Sequence, residues 1–305
     1  MRAAAILGLG SSIADLKPFQ TDARVQWTLG LPTSPDAADA ILIFGGDGTI
    51  HRHLAQLSRL GKPVLIVPRG SGNDFARALG LLKIRDSLAA WQHFVSDRSN
   101  VFVVDLGTIT PIGPNPLANS RYSLPTVRYF CCAGGCGLDS EAARRANQLP
   151  AWLRAHGGYA ISLLNSLRRF QPIGMKIESP ARNGTEPPSG QYTPAMLIAF
   201  ANAPFYGGGM RLAPKAMMDD HQLDFCLVRR VNKVRLSYLF PRVYFGRHLQ
   251  IPEVDYFQGE RLRLETDRPL DVYADGEYVC HTPIEVGVAP NALKVVTDKL
   301  TVARA

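Results

Sequence analysis

Along the first third of the chain, apolar positions follow two alternating rhythms. Residues 3–7, 40–44 and 64–67 are short uninterrupted apolar runs, the pattern of strands buried on both faces of a parallel sheet. Between the second and third runs, Ile50, Leu54, Leu57 and Leu60 recur at helical spacing until Gly61-Lys62-Pro63 stops the helix. Residues 75–79 open another helical pattern ended by Gly80, and residues 101–104 read as a further strand. Strand and helix in alternation predict an α/β layer on a parallel sheet.

Beyond a loop rich in Pro, Asn and Ser at residues 108–125, the rhythm shortens. Segments at 129–132, 175–178, 195–201, 222–228, 261–265, 270–273 and 284–288 are strand-like and punctuated by Gly, Pro and Asn. They predict an antiparallel, β-sandwich-like second domain. Helical patterns at 140–147, 160–170 and 233–245 interrupt it, and the mostly polar residues 181–189 read as an exposed hairpin loop.

Composition narrows the partners. The 305 residues, 46% hydrophobic and 20% charged, suffice for two domains or one large one. A net charge of +8 suggests a polyanion: nucleic acid, an anionic membrane surface or a phosphorylated ligand. Nucleic acid ranks last, because neither a recognisable module nor interleaved aromatic and basic residues accompany the charge. Taken singly, Arg144-Arg145, Arg168-Arg169, Arg229-Arg230 and the Lys233/Arg235 pair read as solvated faces. No apolar stretch approaches the roughly 20 residues that cross a bilayer, so membrane contact is expected to be peripheral. Cys131, Cys132 and Cys136 lie in an apolar, glycine-rich run with no paired CxxC and no nearby His. They read as reduced core residues rather than zinc ligands, and a cytoplasmic compartment fits.

Chemistry enters at the turns. Gly45-Gly46-Asp47-Gly48-Thr49 joins a buried strand to a helix, where backbone N–H groups and the helix dipole make an anion site suited to nucleotide phosphates. Asp47 beside phosphate calls for an intervening cation, unless it merely caps a helix. The second strand ends alike, in Gly70-Ser71-Gly72-Asn73-Asp74 before a helix, and a third strand is read as ending at Asp105-Leu106-Gly107. Turns at the carboxyl ends of parallel strands converge. Three carboxylates there favour metal-assisted phosphoryl transfer over three coincidental caps.

Gly45 to Thr49, followed by Pro68-Arg69-Gly70-Ser71-Gly72-Asn73-Asp74-Phe75-Ala76-Arg77, resembles the catalytic domain of the diacylglycerol and sphingosine-type lipid kinases, the bacterial soluble members above all. The first motif is shared with NAD kinases and phosphofructokinases; the second is much more specific. The resemblance continues through residues 130–139, through Asn202 to Met210 with Ala213-Pro214, through residues 217–224 and through Asp275-Gly276-Glu277. It covers nearly everything after about residue 38, in order.

The resemblance implies an NAD-kinase-like α/β domain over residues 1–123, rejoined by residues 293–305. Residues 124–292 would form the β-rich lipid-binding domain, with the site in the cleft between. Gly45, Gly46, Gly48 and Thr49, with Ser71, Gly72 and Asn73, would cradle the phosphates of ATP beside a first loop of Gly8, Gly10 and Ser11. Asp47, Asp74 and Asp105 would organise Mg2+ through water. Asp275 would be the general base, with Glu277 beside it, and Met217, Asp220 and Gln222 would hold a structural cation. Phe205-Tyr206 would line a lipid groove, whereas Tyr244-Phe245 reads as helical core packing.

The chain departs from that pattern at three places. Gly8-Leu9-Gly10-Ser11-Ser12 stands where the family has N-P-x-S-G, and the segment that follows is short enough to have a trimmed helix. His51-Arg52 replaces the common Asn-Glu, and His221 replaces Gly in the D-D-G turn. The expectation is an ATP- and Mg2+-dependent kinase acting on a lipid hydroxyl, first of all diacylglycerol to phosphatidic acid. The alternatives are a catalytically impaired nucleotide- or lipid-sensing module and an NAD kinase-like enzyme; a homodimer is left open.

Overall fold

The uninterrupted apolar runs become strands that share one sheet. In this computed structural model, which describes residues 1–113, 127–148, 162, 166–167, 170–179, 183–184 and 190–299, the parallel part is built from β1 (Arg2–Leu7), β2 (Gln26–Leu29), β3 (Ala40–Gly45) and β4 (Val64–Pro68). Their spatial order is β4-β3-β1-β2, with Ile41 opposite Val64 and Ala3 opposite Ala40. Every residue of β3 and β4 is buried, as their lack of alternation requires.

Helices pack against this sheet. Between the first loop and β3, the segment read as short, the helical pieces are α1 (Ile13–Leu16) and two 3-10 turns, Lys17–Phe19 and Pro35–Ala37. α2 (Asp47–Leu60) buries Ile50, Leu54, Leu57 and Leu60 and ends at Gly61, whose φ of 61° is the left-handed C-cap that glycine supplies. α3 (Asp74–Ala78) follows the second glycine turn. Neither β2 nor α4 (Ile84–Asp97) was foreseen, although α4 buries Ala90, Trp91 and Phe94 at helical spacing.

The strand at residue 101 differs from expectation. β5 (Val101–Pro111) runs for eleven residues, straight through Asp105, and pairs antiparallel with the last strand instead of joining the parallel set. Asp105 is therefore a mid-strand residue, not one just beyond a strand end. The long segment reads as two pieces because Gly107 and a run of Thr and Pro mimic a turn. Gly107 is instead where the Phe130 ring lies flat on the strand: a Cβ there would fall 1.9 Å from the ring.

The remainder is antiparallel. β6 (Arg128–Phe130), β7 (Ala133–Gly137), α5 (Leu138–Asn147), β8 (Ile173–Glu178), β9 (Asn183–Gly184), β10 (Thr193–Ala201) and β11 (Leu223–Arg229) precede α6 (Lys233–Leu239) and a 3-10 stretch, Phe240–Phe245. β12 (Val254–Gly259), β13 (Arg261–Thr266), β14 (Asp271–Ala274), β15 (Glu277–His281) and β16 (Ile284–Val296) complete it. Period-two burial divides two cores: Ile198 and Phe200 of β10 face Phe225, Phe257 and Leu264, while Ala199 and Ala201 face Tyr206, Met210 and Tyr256. β16 links the halves, pairing Val295 with Val64 of β4 and Leu293 to Val296 with β5. Arg168-Arg169, most of residues 181–189 and residues 300–305 lie outside the described residues.

Candidate active site

Two glycine turns touch at the carboxyl ends of β3 and β4. A Cβ on Gly46 would lie 2.7 Å from the Gly70 Cα, so only paired glycines allow this approach. Gly8 and Gly45 leave room for Thr49, against which a Cβ on either would collide. The first loop folds onto the same place: the Gly8 N–H and the Ser11 hydroxyl donate to the Phe44 carbonyl at 2.8 and 3.0 Å. The first N–H groups of α2 have no partner inside the helix, which keeps this end receptive to phosphate. Asn73 is used differently from expectation. It sits at φ 53°, and its amide both accepts from the Gly70 N–H (2.8 Å) and donates to the Gly70 carbonyl (2.6 Å), closing the loop rather than reaching outward.

Asp47 caps a helix other than its own. Its oxygens accept the N–H groups of Asp74 (3.0 Å) and Phe75 (3.1 Å) at the start of α3, tying the two motifs together. Burial pushes its carboxyl up to about 7, and the neighbouring Asp74 charge acts in the same direction. Asp74 is buried too, and its pKa is raised, mainly by desolvation. Its Oδ2 accepts the Gly208 N–H at 2.8 Å. Its Oδ1 has no hydrogen-bond partner among the described residues, and Arg77 Nε lies 3.8 Å away. Gly207, Gly208 and Gly209 take φ values of 63°, 88° and 101°, so the triple glycine supplies a left-handed turn that aims backbone donors at Asp74.

The Asp-Gly-Glu turn reaches this place from the other half. Asp275, at φ 50° between β14 and β15, accepts the N–H groups of Cys131 and Cys132 at 2.9 Å and of Ala133 at 3.3 Å. His51 Nδ1 of α2 lies 3.1 Å from Asp275 Oδ2. Glu277 rests over Gly48, where a Cβ would meet its Oε1 at 2.9 Å. None of the five cysteines is in a disulfide, and burial pushes the Cys131 thiol up to about 12, the state of a protonated core residue.

The Asp105 carboxylate is engaged at a different turn. It accepts the His221 N–H (2.8 Å), His221 Nδ1–H (3.0 Å) and the Asn291 N–H (2.7 Å), so its work is to hold two residues at φ 60° and 54°. Of the three carboxylates expected around Mg2+, the structure joins Asp47 and Asp74 and commits Asp105 to the turn of the second candidate cation site. There the Gln222 N–H donates to Asp220 Oδ1 at 3.1 Å, and Gln222 Oε1 is buried without a partner among the described residues. Met217 is partly exposed beside them in sequence.

An apolar cavity opens between α6 and the second core, lined by Leu138, Tyr206, Met210, Leu236, Phe240 and Val243 among others. Tyr206 thus faces a groove as expected, whereas Phe205 lies 5.8 Å from the guanidinium carbons of both Arg77 and Arg211. Phe245 is 70% exposed, contrary to the core packing expected of it, because the helix turns 3-10 at Phe240 and shifts the face it presents. The basic pairs are mostly engaged locally: Arg144 and Arg145 with Glu141, Arg229 with Asp255, Arg235 with Glu253.

A family described as diacylglycerol kinase catalytic domain matches residues 21–108, and one described as YegS C-terminal NAD kinase beta sandwich-like domain matches residues 134–297, more than half of the chain. The chain belongs to the diacylglycerol kinase-type lipid kinase family. Within it, a Mycobacterium tuberculosis diacylglycerol kinase is 30% identical over 261 residues, 86% of this chain and 77% of that protein. A Bacillus subtilis diacylglycerol kinase is 24% identical over 242 residues, 79% and 71% respectively. The fold is that of a Bacillus anthracis diacylglycerol kinase crystal structure (TM-score 0.65, 17% identity, 97% of both chains). It is shared more distantly with an Archaeoglobus fulgidus NAD kinase solved with ATP (TM-score 0.54, 14% identity, 98% and 94%). For a lipid kinase of this family, the backbone donors at Gly208 and at residues 131–133 complete the carboxylate settings. Only the tandem glycines announced the former, and nothing local announced the latter.

Proposed function

We propose that this chain transfers the γ-phosphoryl group of ATP to the hydroxyl of a lipid alcohol, with diacylglycerol the first candidate and phosphatidic acid its product. Residues 1–123, rejoined by residues 293–305, form the nucleotide half, and residues 124–292 the acceptor half. The observation that carries this reading is the convergence of Asp47, Asp74 and the Asp275–His51 pair, from three separate segments, beside the open end of α2. Phosphoryl transfer needs positioning, charge neutralisation and a base for the hydroxyl, and little else from the protein.

The Asp47–Asp74 pair fits a divalent cation: burial raises the pKa of both carboxyls, the Asp74 charge raises that of Asp47 further, and Asp74 Oδ1 is a buried oxygen without a partner among the described residues. When bound there, Mg2+ would neutralise charge developing on the transferred phosphoryl. Asp220 and the orphaned Gln222 Oε1 likewise fit a second, structural cation. The Asp275–His51 pair takes up the proton of the hydroxyl, and Glu277 orients the turn. The apolar cavity fits an acyl chain. Val234, Tyr238 and Phe245 stand exposed around it with Arg242 and Arg247, which supports peripheral contact with an anionic lipid surface. Among the described residues no helix is long and apolar enough to cross a membrane.

The test is transfer of label from γ-labelled ATP to lipid alcohols in mixed micelles with Mg2+, covering diacylglycerol, phosphatidylglycerol, sphingoid base and undecaprenol. Wild type labels one acceptor class, and Asp275→Asn loses about 10²-fold or more of that activity. Wild type that labels no lipid under any micelle composition would end this reading.

A further inference from the structure

Asp275 is badly placed to meet a substrate hydroxyl directly. Its side chain is 0% exposed, and three backbone N–H groups already occupy its oxygens. The remaining approach is taken by His51 Nδ1. A carboxylate only accepts, so Nδ1 carries the hydrogen and the neutral ring keeps its lone pair on Nε2. The His51 side chain is 16% exposed, and Nε2 has no hydrogen-bond partner among the described residues. His51 also stands one helical turn beyond Asp47 on the same face of α2, toward the site of transfer.

We infer that His51 is the group that touches the acceptor hydroxyl, its Nε2 taking the proton while Asp275 acts as a positioning residue. This rests on the lipid kinase reading above. In the step, the acceptor O–H bond breaks and its proton goes to Nε2. The oxygen forms a bond to the γ-phosphorus of ATP, and the bond from that phosphorus to the bridging oxygen breaks, releasing ADP. Asp275 holds the ring and stabilises the imidazolium, which returns its proton to solvent at the exposed edge. The arrangement is that of a base oriented by a third group, here serving an alcohol nucleophile.

The charged and titratable groups facing His51 are Asp275 and Glu277 from the β14–β15 hairpin, Arg128 from β6, and the neutral Cys131 thiol. Burial by itself lowers the His51 pKa, and Arg128 acts the same way. The Asp275 hydrogen bond and charge, with Glu277, outweigh both and raise it above the ordinary 6.5. A histidine base is lost on protonation, so the rate falls tenfold per pH unit below that raised pKa.

The experiment compares kcat and kcat/KM for lipid transfer across pH in wild type, His51→Ala and His51→Gln. Gln keeps a donor toward Asp275 and much of the ring's volume but cannot take a proton. Both variants should lose about 10²–10³-fold in kcat, with KM for ATP unchanged and the acid limb gone. Added imidazole should restore part of the His51→Ala rate. His51→Gln at wild-type kcat with the acid limb intact would overturn the inference and return the proton to Asp275, leaving the kinase reading in place. If wild type transfers to no lipid alcohol, both readings fall together.

Discussion

Asp74 and Asp105 are both buried aspartates, and the sequence presents them as equivalent, each just beyond a strand. The structure separates them by the donors they meet. Asp105 is met by three N–H groups on its two oxygens. Asp74 shares its space with Asp47 and leaves Oδ1 without a hydrogen bond among the described residues. A saturated carboxylate is a structural clamp whose removal strands its donors. An under-served carboxylate beside another is a poor clamp and a good ligand. Burial alone does not tell these roles apart.

The sharpest way to break this contrast is Asp74→Asn. It keeps an oxygen for the Gly208 N–H and removes one charge of the pair. Transfer activity should fall about 10²–10³-fold, while thermal stability without divalent ions holds or rises at neutral pH. The sign follows from the shift: the folded Asp47 carboxyl titrates near 7, against an unfolded value near 3.8. From about pH 4 to 7 the folded state therefore holds the extra proton, and stability declines as pH rises through that window. Mg2+ should accordingly raise the wild-type Tm more at pH 8 than at pH 5, and calorimetry of Asp74→Asn should show a shallower decline and a smaller difference. An equal Mg2+ effect at both pH values would place the cation elsewhere.

Asp105→Ala reverses the pattern. With the part-buried backbone N–H groups of His221 and Asn291 left without their acceptor, stability should drop by about 2 kcal/mol, a Tm fall of roughly 4–8 °C in a chain of this size. At temperatures where the variant stays folded, kcat should keep most of its value. A variant of wild-type stability that has lost turnover would return Asp105 to the Asp47–Asp74 group.

What was legible follows the range of the interactions. Helix α2, β3 and β4 were readable because their signal is local: Ile50, Leu54, Leu57 and Leu60 share one face, and unbroken apolar runs share two. Both glycine turns were readable because only glycine permits the contact between Gly46 and Gly70. The role of Asp105 was not, since it depends on β5 finding β16 some 180 residues later, a pairing no local propensity encodes. The His51–Asp275 pair escaped for the same reason, being 224 residues apart in sequence. His51 looked like a neutral exchange for Asn until the hairpin of β14 and β15 was placed over it.

The smallest effect tests the clamp from its other end. His221 occupies φ 60°, where the family's turn has glycine, and a side chain there costs about 1 kcal/mol or more. Against that, its Nδ1–H gives Asp105 a bond at 3.0 Å, discounted because the His221 side chain is 51% exposed and water competes for the same donor. Glycine would relieve the strain and keep the backbone N–H bond to Asp105, but would lose the ring contact and gain freedom when unfolded. These terms nearly cancel, so His221→Gly should move Tm by no more than about 3 °C, less than Asp105→Ala. A fall as large as that of Asp105→Ala would mean that the ring, not the backbone donors, is what Asp105 holds, and that the histidine was exchanged for glycine to strengthen this turn.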